Sequence, residues 1–118
     1  MAPTVLIVDD HPSFRATARM LLELEGYEVV GEAPDGETAF TLVDELRPDL
    51  VLLDVNLPGL DGFAVASRLS AEDAAPAVVL VSSRQASDYG PLVGTSGARG
   101  FIAKADLSRA AIEEVLAA

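Results

Sequence analysis

Carboxylate, hydroxyl and ammonium groups stand at the ends of short apolar runs in this sequence. Four of the five runs end in such a side chain: Asp9 and Asp10 after the first, Asp54 after the third, Ser82 at the end of the fourth and Lys104 at the end of the fifth. Runs of this kind are typical of buried strands, and parallel strands bring their carboxyl ends to one edge of a sheet. A single strand-end aspartate is often only a helix cap, but four strands ending in this set favour a shared site.

Three neighbouring acids favour a bound cation. Mg²⁺ prefers oxygen ligands and is commonly held by one or two carboxylates together with waters and a phosphate. A carboxylate beside such an ion can also attack phosphorus and form an acyl phosphate. Lys104 could hold a phosphoryl oxygen as a point charge, and Ser82 offers a hydroxyl donor on the same rim. These residue types therefore predict a site for Mg²⁺ and a phosphoryl group.

Each apolar run has to be a strand for these side chains to meet. We predict strands near Val5–Asp9, Glu28–Glu32, Leu50–Asp54, Ala77–Ser82 and Gly100–Lys104. Amphipathic stretches alternate with them, and alternating βα units with short connections require a parallel sheet with right-handed crossovers and helices on both faces. The predicted fold class is therefore α/β, a three-layer α/β/α sandwich around a five-stranded parallel sheet. Periodicity alone leaves the strand order open.

Proline, glycine and aspartate mark the ends of the helices between the strands. The first helix is predicted to follow Pro12 and end at Gly26, the second to follow Asp35 and stop before Pro48, the third to run from about Leu60 to Leu69, and the fifth to follow Asp106. The fourth is predicted to be short, because Gly90 and Pro91 cannot lie inside a long helix. It would begin near Asp88 or later and end by Gly97, which leaves residues 84–87 as a loop.

Composition limits the classes of function. The 118 residues predict a single domain over 1–118, and the absence of cysteine excludes disulfides and thiolate metal sites. The 19 acidic residues against 8 lysines and arginines give a net charge of −11, which disfavours direct binding of nucleic acid. The N-terminal apolar run is too short for a signal peptide or a membrane span, so we expect a cytoplasmic protein.

The strand-end residues belong to four longer motifs. These are Val8-Asp9-Asp10, the segment from Asp54 to Gly62 (Asp-Val-Asn-Leu-Pro-Gly-Leu-Asp-Gly), Val81-Ser82-Ser83, and Gly100-Phe101-Ile102-Ala103-Lys104. Together they resemble the receiver domain of bacterial two-component response regulators over essentially the whole chain. The segment from Asp9 to Arg15, with Val30-Gly31-Glu32-Ala33, further resembles the subfamily that joins a receiver to a LuxR-type helix-turn-helix. This resemblance implies a flavodoxin-like strand order of 2-1-3-4-5.

The resemblance also implies a role for each acid. Asp54 would be the phosphoacceptor, which takes a phosphoryl group from a sensor histidine kinase. Asp10, Asp54 and the backbone carbonyl of Asn56 would bind Mg²⁺, and Asp9 would act on the ion directly or through water. Such a domain assists its own phosphotransfer and dephosphorylation but is a signalling module and not an enzyme.

Three further residues would pass the signal on, again by resemblance. Lys104 would contact the phosphoryl group, Ser82 would swing toward it, and Phe101 would turn inward to fill the vacated space. Phe101 has no hydroxyl group, so it could report the change only through packing, and an ordinary core role stays open. The short fourth helix and the loop after Ser82 mark a low-stability part of the fold, so we also expect a homodimer or an output contact through helix 4, strand 5 and helix 5.

Two positions raise separate questions. Many relatives follow the lysine with a proline in a cis peptide, whereas this chain has Lys104-Ala105. A cis bond before a residue other than proline costs about 3 kcal/mol, so the loop either stores that strain or takes a trans path. His11 precedes Pro12, which predicts a place at the start of the first helix and no role as a ligand or phosphodonor.

Three alternative functions stay open. An aspartate-nucleophile phosphatase also uses a strand-end aspartate and Mg²⁺, but its general acid normally stands two residues after the nucleophile, where this chain has Asn56. A phosphorylation-independent interaction module would be expected to lose part of the acid-and-lysine set. The third alternative is a stand-alone receiver, although the last helix reaches Ala118 without a stop signal, which favours an output domain outside residues 1–118.

Overall fold

Five runs of mainly aliphatic residues form the central sheet of the computed structural model, which describes residues 2–117. The strands are β1 (Thr4–Val8), β2 (Glu28–Ala33), β3 (Leu50–Asp54), β4 (Ala77–Ser82) and β5 (Gly100–Ala103). All neighbouring strands are parallel, and their order is β2-β1-β3-β4-β5. The predicted strands lie within one residue of the observed ones, and the strand order implied by the resemblance is confirmed.

The helices within the described part of the chain are α1 (Pro12–Leu24), α2 (Gly36–Leu46), α3 (Gly62–Ser70), α4 (Leu92–Thr95) and α5 (Arg109–Ala117). Asp35 and Asp61 cap α2 and α3 by accepting hydrogen bonds from the backbone N–H groups of Thr38 (2.8 Å) and Ala64 (2.9 Å). α3 therefore begins two residues later than predicted, because Asp61 caps it from outside. No helix in residues 2–117 is long and apolar enough to cross a bilayer.

Two apolar clusters fill the spaces between the sheet and the helices, one on each side. The cluster of the α1–α5 face includes Val5, Ile7, Leu50 and Leu52 from the sheet with Leu22 and Ile112 from the helices. The cluster of the α2–α3 face includes Leu6, Val8, Val51 and Leu53 from the sheet with Val43 and Val65 from the helices. Successive strand residues thus point to opposite faces, as the pleat of a strand requires. The predicted three-layer sandwich is confirmed.

The segment between β4 and β5 is irregular, as predicted. A 3₁₀ turn at Ala86–Asp88 replaces part of the expected loop, and Gly90 follows with a φ of +58°, in the left-handed region that glycine tolerates. Pro91 then caps α4, whose four residues are all at least partly exposed. Ser67 Oγ of α3 donates a hydrogen bond of 3.1 Å to the backbone carbonyl of Ser96. The end of α4 is therefore held on the α2–α3 face.

Candidate functional site

A buried ion pair lies at the carboxyl edge of the sheet. Asp9 follows β1 with 0 % of its surface exposed, and Asp54 ends β3 with 2 % exposed. Lys104 follows β5, and its Nζ donates a hydrogen bond of 2.7 Å to Asp9 Oδ2 and lies 3.5 Å from Asp54 Oδ2. Three residues that are far apart in the sequence thus form one cluster, and all three belong to the predicted strand-end set.

The register of the sheet explains why these side chains meet. Val8 pairs with Leu53, so Asp9 and Asp54 are the next residues along neighbouring strands. Each charged residue stands two positions after a side chain of the α1–α5 face: Asp9 after Ile7, Asp54 after Leu52 and Lys104 after Ile102. Residues two apart in a strand lie on the same side of the sheet. The alternation therefore directs all three toward the α1–α5 face.

An aromatic ring and a tight turn hold Lys104 near the acids. Its Nζ lies 4.2 Å from the centroid of the Phe14 ring, a cation–π contact from α1 that we did not predict. Lys104 also begins a 3₁₀ turn, Lys104–Asp106. Every peptide bond in residues 2–117 is trans, so Lys104-Ala105 takes the trans path.

Asp10 and His11 extend the cluster toward solvent. The Asp10 side chain is 37 % exposed, and His11 Nδ1 lies 3.0 Å from Asp10 Oδ1 and 3.1 Å from Asp9 Oδ1. His11 is the N-cap residue of α1, as predicted, but its contacts with both acids were not. Potential ligand atoms of Asp9, Asp10, His11 and Asp54 all lie within 4.8 Å of one another, a spacing that could hold a metal ion.

Electrostatic interactions distinguish the two buried carboxylates. Burial is the largest cause that raises the pKa of Asp54 to about 6, and the negative charge of Asp9 adds to it. Burial also opposes the ionisation of Asp9, but hydrogen bonds from Lys104 and from the His11 backbone, with the charge of Lys104, outweigh it and lower the pKa of Asp9. Asp9 is therefore the better compensated anion, and Asp54 would gain more from an additional cation.

The loop after Asp54 fixes the direction of its carboxylate. The backbone N–H of Asn56 donates a hydrogen bond of 3.3 Å to Asp54 Oδ1, and that of Gly62 donates one of 2.8 Å to the carbonyl of Val55. A Cβ at Gly62 would collide with the backbone carbonyl of Asp54, so the close approach of α3 requires glycine. The Asn56 backbone is thus held beside the acids, and the role of its carbonyl oxygen stays a prediction.

Ser82 is directed toward the other side of the sheet. It is fully buried and continues the series of Val78 and Leu80, which pack in the α2–α3 face. Its Oγ lies 2.7 Å from the hydroxyl oxygen of Tyr89 and accepts a hydrogen bond of 3.1 Å from the backbone N–H of Arg84. In this conformation Ser82 is therefore bonded to the segment that follows β4.

Tyr89 lies in an aromatic cluster that includes the predicted switch residue Phe101. The centroid of its ring is 5.4 Å from that of Phe63 and 5.9 Å from that of Phe101. We did not predict the part played by Tyr89, because it follows the 3₁₀ turn in a segment whose path has no periodic signal. Phe101 was the member of this cluster that we did predict, and it has no hydroxyl group that could bond to Ser82.

The sequence of this chain is similar to those of known proteins. The family model described as the response regulator receiver domain matches residues 5–116. The DNA-binding transcriptional activator EvgA of Escherichia coli is 34 % identical over 99 residues, which are 84 % of this chain and 48 % of that protein. The positive alginate biosynthesis regulatory protein of Pseudomonas aeruginosa is 51 % identical over 81 residues, which are 67 % of this chain and 33 % of that protein. The chain thus spans about half the length, or less, of these curated relatives.

A solved structure agrees with the subfamily that the motifs resemble. The crystal structure of a two-component response regulator of the LuxR family from Aurantimonas has a TM-score of 0.88 and 34 % identity, and the match covers 99 % of this chain and 86 % of that chain. The strand order, the strand-end acids and these matches agree with one another. The chain belongs to the response regulator receiver domain family.

Proposed function

We propose that this receiver domain accepts a phosphoryl group on Asp54 from a sensor histidine kinase. The observation that carries the proposal is a charge imbalance, in which the buried carboxylates of Asp9 and Asp54 share the ammonium group of Lys104. In the transfer, an Oδ atom of Asp54 attacks phosphorus, the P–N bond to the kinase histidine breaks, and the released imidazole takes up a proton. The product is an acyl phosphate.

Mg²⁺ is the cation that we propose for this site. Asp10, Asp54 and the backbone carbonyl of Asn56 would hold it, and Asp9 would act directly or through water. The residues fit such an ion because potential ligand atoms of the three acids lie within 4.8 Å of one another and are all oxygens. When bound, the ion supplies positive charge that offsets the charge of the phosphoryl oxygens.

Lys104 and Ser82 would hold the phosphoryl group once it is attached. Lys104 Nζ is already 3.5 Å from Asp54 Oδ2, so a phosphoryl oxygen on that carboxylate would come within its reach. Ser82 would turn away from its partners on the α2–α3 face and donate to another phosphoryl oxygen, because hydrogen bonds to charged oxygens are stronger than neutral ones. Phe101 would then fill the space that Ser82 leaves.

We further propose that the output lies outside residues 1–118 and regulates transcription from the cytoplasm. The Escherichia coli relative is named as a DNA-binding transcriptional activator, and the match covers 48 % of it. The net charge of −11 disfavours direct contact between this domain and DNA. The signal would leave through α4, β5 and α5, either by homodimerisation or by contact with the output domain.

Stoichiometric labelling tests the phosphoacceptor. With a small phosphodonor such as phosphoramidate and Mg²⁺, the protein should gain one phosphoryl group, measured by intact-protein mass spectrometry. Asp54→Asn should gain none, because an amide is not a nucleophile here, whereas Asp61→Asn, which alters an exposed cap of α3, should be labelled like the parent. Unchanged labelling of Asp54→Asn would refute the assignment.

The same material separates the proposed receiver from an aspartate-nucleophile phosphatase. A receiver should not turn over a simple phosphate ester such as p-nitrophenyl phosphate, whereas a phosphatase should hydrolyse it continuously. Asn56 argues against the phosphatase, because its amide cannot act as the general acid expected at that position. Sustained turnover that is lost in Asp54→Asn would favour the enzyme.

A further inference from the structure

Tyr89 makes a polar contact that the phosphotransfer step does not need. Its hydroxyl oxygen is 2.7 Å from Ser82 Oγ, and Ser82 is fully buried. The backbone N–H of Arg84 donates a second hydrogen bond, of 3.1 Å, to the same Oγ atom. Two partners in the segment after β4 therefore hold the Ser82 hydroxyl in its present direction.

The Tyr89 ring is fixed from two sides, which fixes the position of its hydroxyl. Phe63 of α3 meets the ring in a T-shaped arrangement at 5.4 Å, and Phe101 of β5 lies tilted against it at 5.9 Å. Tyr89 thus joins the segment after β4 to α3 and to β5. Phe101 contributes only its ring, so the hydroxyl that reaches Ser82 from this aromatic cluster belongs to Tyr89.

We propose that Tyr89 is a positioning residue that holds the Ser82 hydroxyl on the α2–α3 face and thereby opposes its transfer to a phosphorylated Asp54. The inference rests on the proposed function, since Ser82 has to leave Tyr89 only when a phosphoryl group is present. Either hydroxyl can be the donor in this bond, which requires the Ser82 and Tyr89 oxygens to stay within hydrogen-bond distance, here 2.7 Å. Tyr89 and the phosphoryl group lie toward opposite faces of the sheet, so binding the phosphoryl group breaks the bond to Tyr89.

A change that removes only the hydroxyl tests this role. Tyr89→Phe keeps the ring contacts. Tyr27→Phe is the matched control, because Tyr27 lies on the opposite, α1–α5 face, where Arg109 Cζ is 5.6 Å from the centroid of its ring. The affinity of each variant for beryllofluoride at saturating Mg²⁺ can be measured by titration calorimetry. Tyr89→Phe should bind about fivefold more tightly than the parent, the factor that one net hydrogen bond is worth, because only the unbound state loses a bond. Tyr27→Phe should bind like the parent.

The Ser82→Ala background shows whether the effect acts through Ser82. Without that hydroxyl, Tyr89 has nothing to hold, so adding Tyr89→Phe to Ser82→Ala should leave the affinity unchanged. A general structural role of Tyr89 would change the affinity equally in both backgrounds. That result, or weaker or unchanged binding in Tyr89→Phe alone, would overturn the inference.

Tyrosine emission gives a second readout that leaves Tyr89 in place. The chain has two tyrosines and no tryptophan, so the emission of Tyr27→Phe comes from Tyr89 alone. Beryllofluoride with Mg²⁺ should change that emission, because the Tyr89 hydroxyl loses its partner. If the Tyr89→Phe variant did not fold, this emission measurement would still test the inference by itself. Constant Tyr89 emission while beryllofluoride binds would overturn the inference by itself, whereas a parent protein that binds no beryllofluoride would overturn the proposed function as well.

Discussion

Lys104 is closer to Asp9 than to Asp54: its Nζ lies 2.7 Å from the first carboxylate and 3.5 Å from the second. The shorter contact belongs to the acid whose pKa is lowered, and the longer one to the acid whose pKa is raised. Lys104 therefore stabilises the ionised form of Asp9. Asp54, the proposed phosphoacceptor, is left with a charge that its surroundings compensate only in part.

Replacing Lys104 by methionine should destabilise the metal-free protein. Asp9 would lose its cationic partner while it stays buried, and breaking a buried pair in this way costs about 3–5 kcal/mol. Because the Lys104 side chain is 18 % exposed, solvent should reduce the loss to about 2 kcal/mol in urea unfolding. Combining Lys104→Met with Asp9→Asn should restore part of the stability, since the buried charge of Asp9 is then removed together with its partner and only Asp54 is left without a cation. A single Lys104→Met variant as stable as the parent would contradict this division of charge.

The raised pKa of Asp54 predicts a pH-dependent stability of the metal-free protein. A carboxyl group with a higher pKa in the folded state binds an extra proton there, so its contribution to stability is lost as the pH rises through about 6. Asp54→Asn cannot ionise. The variant should therefore match the parent at pH 4 and exceed its free energy of unfolding by about 2 kcal/mol at pH 8.

Thermal melts in EDTA between pH 4 and pH 8 would measure this difference. Asp44→Asn is the control, because it neutralises an exposed acid in α2, and its stability should follow that of the parent at every pH. Both variants keep Asp9, whose pKa is lower in the folded state. Asp9 therefore stabilises the fold at pH values above its unfolded-state pKa, and this contribution largely cancels when a variant is compared with the parent. A gain in Asp54→Asn that is the same at pH 4 and pH 8 would show that Asp54 is not the titrating group.

Millimolar Mg²⁺ should stabilise the protein, because the ion binds the native state and offsets the crowding of Asp9, Asp10 and Asp54. We expect the melting temperature to rise on the order of 5 °C. Asp10→Ala should remove most of that rise, whereas Asp44→Ala, which deletes an acid of the same charge elsewhere, should keep it. If Mg²⁺ leaves the melting curve of the parent unmoved, the pocket is not a magnesium site.

Hydrogen exchange should localise the response to phosphorylation. Residues 82–104 contain the short α4, which buries no residue fully, and such segments open at low free-energy cost. Beryllofluoride with Mg²⁺ should change protection mainly in this range as Ser82 and Lys104 turn to the phosphoryl oxygens. Changes confined to α1 and α2 would mean that the signal leaves through a different surface.

The acids and the lysine of the site were predictable because each one ends an apolar run. Asp9, Asp54 and Lys104 are brought together by the pleat and the parallel order of the strands, and both are determined by patterns that extend over many residues. The location of a residue at a strand end can therefore be predicted without knowing the path of the loops. The same reasoning placed Ser82 at the correct edge but could not tell to which face its hydroxyl is bonded.

We did not predict contacts made by residues whose position depends on the path of a loop or on the rotation of a helix. Tyr89 lies between a 3₁₀ turn and Gly90, and neither of these has a periodic signature in the sequence. Phe14 of α1 lies against the Lys104 ammonium, a contact that depends on the rotation of the helix. The sequence left two paths open for the peptide after Lys104, cis and trans, and the structure has the trans one.

β5 lies at the edge of the sheet, next to β4 alone. α4 is held on one side of this strand and α5 on the other, so the outer rim of β5 is a seam between the two helical layers. The acid cluster faces one layer and the aromatic cluster around Tyr89 faces the other. A protein docked along the seam would touch both layers at once, and it would detect a shift of one layer against the other as a change in the shape of its own binding surface.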